Sequence, residues 1–292
     1  MKLSIGIVGL PNVGKSLLFK ILTKQEVNIA NYPFCTINPN VGVVPVKDER
    51  LEKVAAVMKS KEILPAVLEF VDIAGLVRGA HQGAGLGNQF LAQIRETDAI
   101  VHLVRVFQDE DIVHFEGRID PMSDFEAVED EIRMKDEQTK EKINLLSAEP
   151  QLVILNGKTE EAPEVLIHKI NELGFPYLIM DLKSLETVLP LMEAALKQIF
   201  GAFLKLLDLI TFYTANENEA RSWFIKKGTL APRAAGIVHT DFKNKFIKAE
   251  VINWQKLVEA GSWHNAKQKG WLRLEGREYV MQDGDVMVIK HG

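Results

Sequence analysis

Gly9-Leu10-Pro11-Asn12-Val13-Gly14-Lys15-Ser16 fits the pattern G-x-x-x-x-G-K-[ST] at every position. Its surroundings suit that pattern. The apolar run Leu3-Ser4-Ile5-Gly6-Ile7-Val8 before it reads as a buried strand, and Leu17-Leu18-Phe19-Lys20-Ile21-Leu22 after it reads as a helix. Strand, glycine loop and helix together make a phosphate cradle. The glycines let the backbone turn its N–H groups inward, and the positive end of the helix dipole strengthens the field on an anion. The expected phosphate-side residues are Asn12, Val13, Gly14, Lys15, Ser16 and Leu17. Lys15 is expected to reach the β/γ oxygens of a nucleoside triphosphate, and the Ser16 hydroxyl to hold Mg2+.

A second motif supports the first. Val67-Leu68-Glu69-Phe70-Val71 reads as a strand and ends in Asp72-Ile73-Ala74-Gly75. A carboxylate at the tip of a strand beside the cradle can hold Mg2+ through water, which makes Asp72 a metal-site residue. Gly75, with no side chain, can bring its N–H to a γ-phosphate. Between the motifs lies Asn31-Tyr32-Pro33-Phe34-Cys35-Thr36-Ile37-Asn38-Pro39-Asn40, a proline-punctuated loop. Thr36 is its natural hydroxyl for Mg2+.

The bulk numbers set bounds. The chain has 292 residues, room for one large domain or two ordinary ones. No apolar run approaches a membrane span, and the short apolar N-terminus enters the cradle directly, so neither a membrane anchor nor a signal peptide is expected. Cys35 is the sole cysteine, which rules out an internal disulfide and a cysteine-based metal site and fits a reducing cytoplasm. The net charge of −5 argues against a nonspecific nucleic-acid binder. The charge is uneven, however: residues 1–205 carry 22 basic and 30 acidic side chains, residues 206–292 carry 13 and 10. All four tryptophans (Trp223, Trp254, Trp263, Trp271) also fall in the second part, which marks a second domain.

Strands are expected at 3–8, 41–46, 66–71, 99–106, 151–155 and 176–180, with helices at 15–24, 48–59, 88–97, 123–147, 163–173 and 187–199. This alternation predicts an α/β domain with a mostly parallel sheet and ligand at the carboxyl ends of its strands. The charge-rich stretch Asp124–Ser147 reads as a projecting helix. From about Leu207 short strands are expected at 209–213, 222–225, 247–251, 271–274, 278–281 and 286–289, around a helix at 254–260. Gln282-Asp283-Gly284-Asp285 reads as a hairpin-type turn. The second part is therefore expected to be a small α+β domain.

The cradle, the Tyr32–Asn40 loop, Asp72-Ile73-Ala74-Gly75-Leu76-Val77, Gly83-Ala84-Gly85-Leu86-Gly87-Asn88 and Ala235-Gly236-Ile237-Val238-His239-Thr240-Asp241-Phe242 closely resemble the Obg-like ATPases, the YchF subfamily of the translation-factor class of P-loop NTPases. The resemblance covers nearly the whole chain. It implies a Ras-like NTPase domain at 1–205, then a β-grasp domain of the TGS type at 206–292. It also implies ATP preferred over GTP, and ribosomes among the partners.

Two departures from that family stand out. The family carries a long coiled-coil arm between the strands near 101–106 and 151–155, where this chain has only 121–149, about one helix. The base-reading motif of the family is Asn-x-x-Glu, whereas this chain has Asn156-Gly157-Lys158-Thr159-Glu160. Guanine needs a carboxylate for its N1–H and 2-amino group, and Thr159 sits where that carboxylate belongs. ATP is favoured by elimination, with Asn156 still able to bond N7 and the 6-position. Glu160 is the alternative reader, should the loop adjust.

Leu76 stands where many GTPases place a water-orienting glutamine, so slow hydrolysis is expected. Asn12 resembles the asparagine that holds K+ in potassium-activated relatives. His81 and His114 are the two imidazoles that loop motion could bring to the water; His114 is favoured for its place beside the nucleotide face. The glycines at 83, 85 and 87 read as a flexible switch, not a dinucleotide loop. In the second domain Arg221, Lys226, Lys227, Arg233, Lys243, Lys245 and Lys248 lie among Trp223, Phe242 and Phe246, a mixture that suits either RNA contact or an ordinary surface over an aromatic core.

The expected function is a cytoplasmic, Mg2+-dependent switch that hydrolyses ATP slowly in translation, with catalytic residues Lys15, Gly75 and His114. The alternatives are a GTPase of the same fold in ribosome assembly, and a nucleotide-sensing module with negligible turnover.

Overall fold

A computed structural model describes residues 3–24, 40–73, 92–114, 117–138 and 146–292. In chain order the elements are β1 (Ser4–Val8), α1 (Lys15–Thr23), β2 (Val41–Pro45), α2 (Glu49–Met58), β3 (Glu62–Leu64), β4 (Val67–Asp72), β5 (Ala99–Arg105), α3 (Pro121–Gln138), β6 (Gln151–Asn156), α4 (Glu164–Glu172), β7 (Tyr177–Met180), α5 (Leu182–Thr187) and α6 (Leu189–Leu206). Then follow β8 (Leu209–Ala215), β9 (Glu219–Lys226), α7 (Ala231–Val238), α8 (Thr240–Lys245), β10 (Phe246–Asn253), α9 (Trp254–Ala260), α10 (Trp263–Gln268), β11 (Arg273–Glu275) and β12 (Asp285–His291). They divide into two compact units, Lys2–Val44 with Leu68–Leu206, and Pro45–Val67 with Leu207–Gly292.

The first unit is built on a sheet of order β2-β4-β1-β5-β6-β7. β1 runs parallel to β4 and β5, and β5, β6 and β7 continue in parallel. Every residue of β1, β5 and β6 is buried, as the unbroken apolar runs require of strands covered on both faces. β4 lies on one side of β1 and β5 on the other, which opens a crevice at their carboxyl ends. The phosphate loop leaves β1 there. Asp72 pairs in register with Ile7, so the second motif ends beside the start of the loop.

α3 differs from expectation. One face of it is part of the core, with Phe125, Val128 and Ile132 fully buried. Phe125 joins Val104, Val153, Leu155 and the α4 residues Leu166 and Ile170 in one cluster. The apolar positions recur at i, i+3 and i+7 between acidic residues, so a single stripe is buried while the opposite face keeps its charge. On α6, Phe200 and Phe203 pack their rings against Phe70 of β4.

The second unit has a sheet of order β11-β10-β12-β8-β9-β3. β8 and β9 form an antiparallel hairpin, and β12 returns parallel to β8 with β10 antiparallel outside it. A hairpin, a helix, and a central parallel pair make a β-grasp arrangement. Successive residues alternate between two cores: Tyr213, Ile252 and Val286 face one, while Phe212, Val251 and Met287 face the other. Helices α2, α9 and α10 supply the first core, and α7 supplies the second.

The sequence reading placed 45–67 in the first domain, whereas the structure packs it with the second unit. Leu51, Val54 and Ala55 of α2 are buried against Tyr213 and Leu257, and β3, an unexpected strand, pairs parallel with β9. Asp48 caps α2 by accepting from the Arg50 N–H, and its other contacts are to Arg50 and the Tyr213 hydroxyl. The expected strand at 278–281 is reduced to one bridge between Val280 and Leu230. Gly284 does sit in a turn with φ 85°, but that turn leads into β12 without joining two paired strands.

Candidate nucleotide site

The loop between β1 and α1 adopts the backbone of a cradle. Gly9, Asn12 and Gly14 all have positive φ, at 151°, 63° and 107°. A Cβ on Gly9 would run into the Leu103 carbonyl oxygen, and one on Gly14 would lie 2.6 Å from the Asn156 amide nitrogen. Both glycines are therefore needed for close approach as well as for conformation. Leu18 N–H bonds the Gly14 carbonyl, which leaves the N–H groups of Lys15, Ser16 and Leu17 outside the helix's own ladder and free to face an anion.

The Lys15 amine donates to the carbonyls of Gly9 (2.9 Å) and Leu10 (2.8 Å). Burial pushes its pKa down to about 8, with Asp72 pulling the other way. The Asp72 carboxyl is raised by the same burial and partly offset by Lys15. Each group is thus a partly desolvated charge near an opposite one. Ser16 and Asp72 supply a hydroxyl and a carboxylate, the hard oxygen donors that suit Mg2+ with the remaining positions left to phosphate and water. Thr36 and Gly75, with Cys35, Leu76, His81 and the 83–87 glycines, lie outside the described residues.

A cavity of about 610 Å³ adjoins the loop, lined by Asn12, Gly14, Lys15, Ser16 and Leu17 on the phosphate side. Val13 is buried behind it. Asn156, at the end of β6, lines it too, but in a different way from the sequence reading. Its side-chain amide donates to the Val13 carbonyl at 2.9 Å, and its oxygen accepts from the Leu182 N–H at 3.2 Å. Its first task is to hold the phosphate loop to the loops after β6 and β7.

The base-loop carboxylate also differs. Thr159 and Glu160 are exposed and do not line the cavity. Glu161 does, and its carboxylate accepts from the Lys158 N–H at 2.6 Å. The short 3-10 turn at Thr159–Glu161 carries Glu160 outward and Glu161 inward. Gly157 permits this turn: its φ is 154°, and a Cβ there would meet Val106 at 2.6 Å.

His114 does not line the cavity. It is buried, with Nε2 2.8 Å from the Asp124 carboxylate of α3. Asn12 reaches the same segment by another route, its amide donating to the Val113 carbonyl at 3.1 Å. Sequence reasoning missed the far wall of the cavity, formed by Phe107, Asp109, Ile112, Asp181 and Lys183. Asp181 caps α5, accepting from Lys183 N–H and Ser184 N–H, and Lys183 reaches back to Asp109 at 3.5 Å. The Asp-x-x-Ser cap after β7 was the one readable signal; the others follow strand ends with no motif.

Two family models match. One, described as 50S ribosome-binding GTPase, covers residues 4–157; the other, for the YchF GTPase C-terminal region and described as a protein of unknown function, covers 209–292. The ribosome-binding ATPase YchF of Haemophilus influenzae is 40% identical over 357 aligned positions, spanning 98% of each chain. That of Bacillus subtilis is 37% identical over 360 positions, again 98% of each. The solved YchF GTPase of Schizosaccharomyces pombe superposes with a TM-score of 0.82 at 31% identity, over 99% of this chain and 98% of that one. The alignments are longer than the 292 residues of this chain, so these relatives carry positions without a counterpart here. Cradle, sheet order and end-to-end similarity together mean that the chain belongs to the YchF family of Obg-like P-loop nucleoside triphosphatases.

Proposed function

We propose that this protein is a cytoplasmic switch that binds ATP with Mg2+, hydrolyses it slowly and acts on the ribosome. The observation that carries the reading is the Lys15 amine, held between two loop carbonyls at the edge of the cavity with the Asp72 charge close enough to favour its protonated form. A triphosphate would take over the contacts that Gly9 and Leu10 now make. Ser16 and Thr36 are the proposed Mg2+ ligands, with Asp72 holding the metal through water; the metal, when bound, would neutralise charge on the β and γ oxygens. Gly75 N–H is the proposed γ-phosphate contact.

ATP preference rests on Thr159 in the motif position and on Glu161 being engaged by its own backbone turn. A GTPase reading has one observation in its favour, the same Glu161 carboxylate at the cavity wall. Slow turnover follows from Leu76. His114 is the proposed water-side imidazole, reached by release from Asp124, and K+ beside Asn12 is the proposed charge-neutralising partner. The two are alternatives: the first requires His114 to leave Asp124, the second requires Asn12 to leave the Val113 carbonyl.

Ribosome association comes from the names of the relatives. The TGS-like second unit is the proposed RNA-facing part: the Arg221 guanidinium lies 4.5 Å over the Trp223 ring and the Lys269 amine 4.4 Å over Trp271, pairings of cation and ring that can also receive a base. Among the described residues no helix is long and apolar enough to cross a membrane.

Single-turnover hydrolysis of ATP and GTP, with and without K+, tests the reading in wild type and Lys15→Ala. ATP cleavage that needs Mg2+ and Lys15 supports it. Binding with no cleavage under any condition would leave the nucleotide-sensing module in its place.

A further inference from the structure

Arg105 closes β5 and is completely buried. A buried guanidinium is costly unless its donors are satisfied, and an apolar side chain of similar volume would fill the same space without that cost. The donors of Arg105 all go to one segment: Nε to the Phe107 carbonyl (3.2 Å), one terminal nitrogen to Ile112 (3.0 Å) and the other to Asp109 (3.1 Å). Its planar face lies 4.3 Å from the centroid of the Phe107 ring. Asp109 and Asp124 support the charge at longer range. The fork therefore wraps residues 107–112 around itself, in a geometry that three rigidly disposed N–H groups hold and a lysine amine does not.

That segment lines the cavity next to Asn156, whose carbonyl accepts from the Phe107 N–H, and its next residue, Val113, is tied to the phosphate loop by Asn12. We propose that Arg105 is a positioning residue of the nucleotide site: it shapes the wall that meets the nucleoside, while the phosphate loop binds the triphosphate independently of it. The proposal rests on the reading of this cavity as a nucleotide site. It assigns specificity for the nucleoside half of the ligand to a side chain that touches no ligand.

The test separates the two halves of the ligand. Affinities for ATP and for inorganic tripolyphosphate, both with Mg2+, are measured by calorimetry for wild type, Arg105→Lys and Arg105→Met, with folding followed by circular dichroism. Arg105→Lys is expected to weaken ATP binding roughly tenfold, as loss of charge-assisted hydrogen bonds implies, with tripolyphosphate affinity unchanged. Equal losses for both ligands, or no loss for either, would overturn the proposal. A variant-free measurement covers the case in which the substitutions unfold the chain: amide exchange at 107–113 in wild type should slow with ADP and not with tripolyphosphate, and the reverse or equal slowing contradicts the assignment. If wild type binds neither ATP nor tripolyphosphate, the nucleotide-site reading falls and the wall with it.

Discussion

The Asn156 amide donates to the Val13 carbonyl across 143 positions of sequence, so the end of β6 braces the phosphate loop from behind. Replacing Asn156 with alanine leaves the Val13 carbonyl and the Leu182 N–H, both buried, without a partner. The expected cost is about 2 kcal/mol of stability. Because the brace acts on the phosphate loop, ATP and tripolyphosphate should weaken together in Asn156→Ala, the opposite of the pattern expected for Arg105. Calorimetry with both ligands checks this; a loss confined to the nucleoside would make Asn156 a base reader first.

Lys15 gives a pH signature. Its amine titrates near 8 in the free protein, lowered from 10.5 by burial. A bound triphosphate stabilises the charged form, so binding takes up a proton once the pH exceeds that value. ATP affinity should be flat below pH 7 and fall by about tenfold per pH unit above 8, for as long as the bound amine stays protonated. Titrations in buffers of different ionisation enthalpy measure the proton taken up. Lys15→Met should abolish the slope, and a slope that survives the substitution assigns the titration elsewhere.

In the second unit the Tyr213 hydroxyl donates to Asp48 at 2.6 Å. Burial works against the Asp48 charge, but hydrogen bonds from Arg50 and Tyr213 outweigh it and keep the carboxyl below its ordinary value. A depressed carboxylate stabilises the fold above the unfolded-state pKa, and that contribution disappears as the pH falls through the folded value. Tyr213→Phe should lose about 1–2 kcal/mol at neutral pH, and the gap to wild type should narrow in acid. The four tryptophans all lie in this unit and report its transition in urea by fluorescence. A gap that widens in acid would contradict the linkage.

His114 is braced by Asp124 and sits off the cavity, so its removal should spare ATP affinity. If the imidazole reaches the water after loop release, His114→Ala lowers kcat about a hundredfold with KM nearly unchanged. A purely structural histidine would instead lower the melting temperature and leave kcat of the folded fraction intact. Measuring both quantities on one preparation decides between the two.

The phosphate loop, the Asp72 strand tip and the mostly parallel sheet were legible because each rests on local pattern: buried β-branched runs alternating with helices, glycines where the chain must turn, a lysine at a helix start. What was not legible depends on partners distant in sequence. The stripe of Leu51, Val54 and Ala55 announces a helix face without saying which core receives it, and that core belongs to Tyr213 and Leu257. α3 looked solvent-facing because acidic residues separate Phe125, Val128 and Ile132. The motif at Asn156 implies a base contact, and its bond to Val13 appears only when β6 lies beside the loop. The cavity wall at 107–112 has no motif of its own, since Arg105 shapes its backbone and not its side chains.

The most direct test of the account is the affinity of the wild-type protein for ATP against GTP, by calorimetry with Mg2+. The absence of a free carboxylate at the Thr159 position predicts tighter binding of ATP. GTP binding as tight or tighter, and lost in Glu161→Gln, would contradict it: Glu161 would then read guanine, and the protein would be a GTPase.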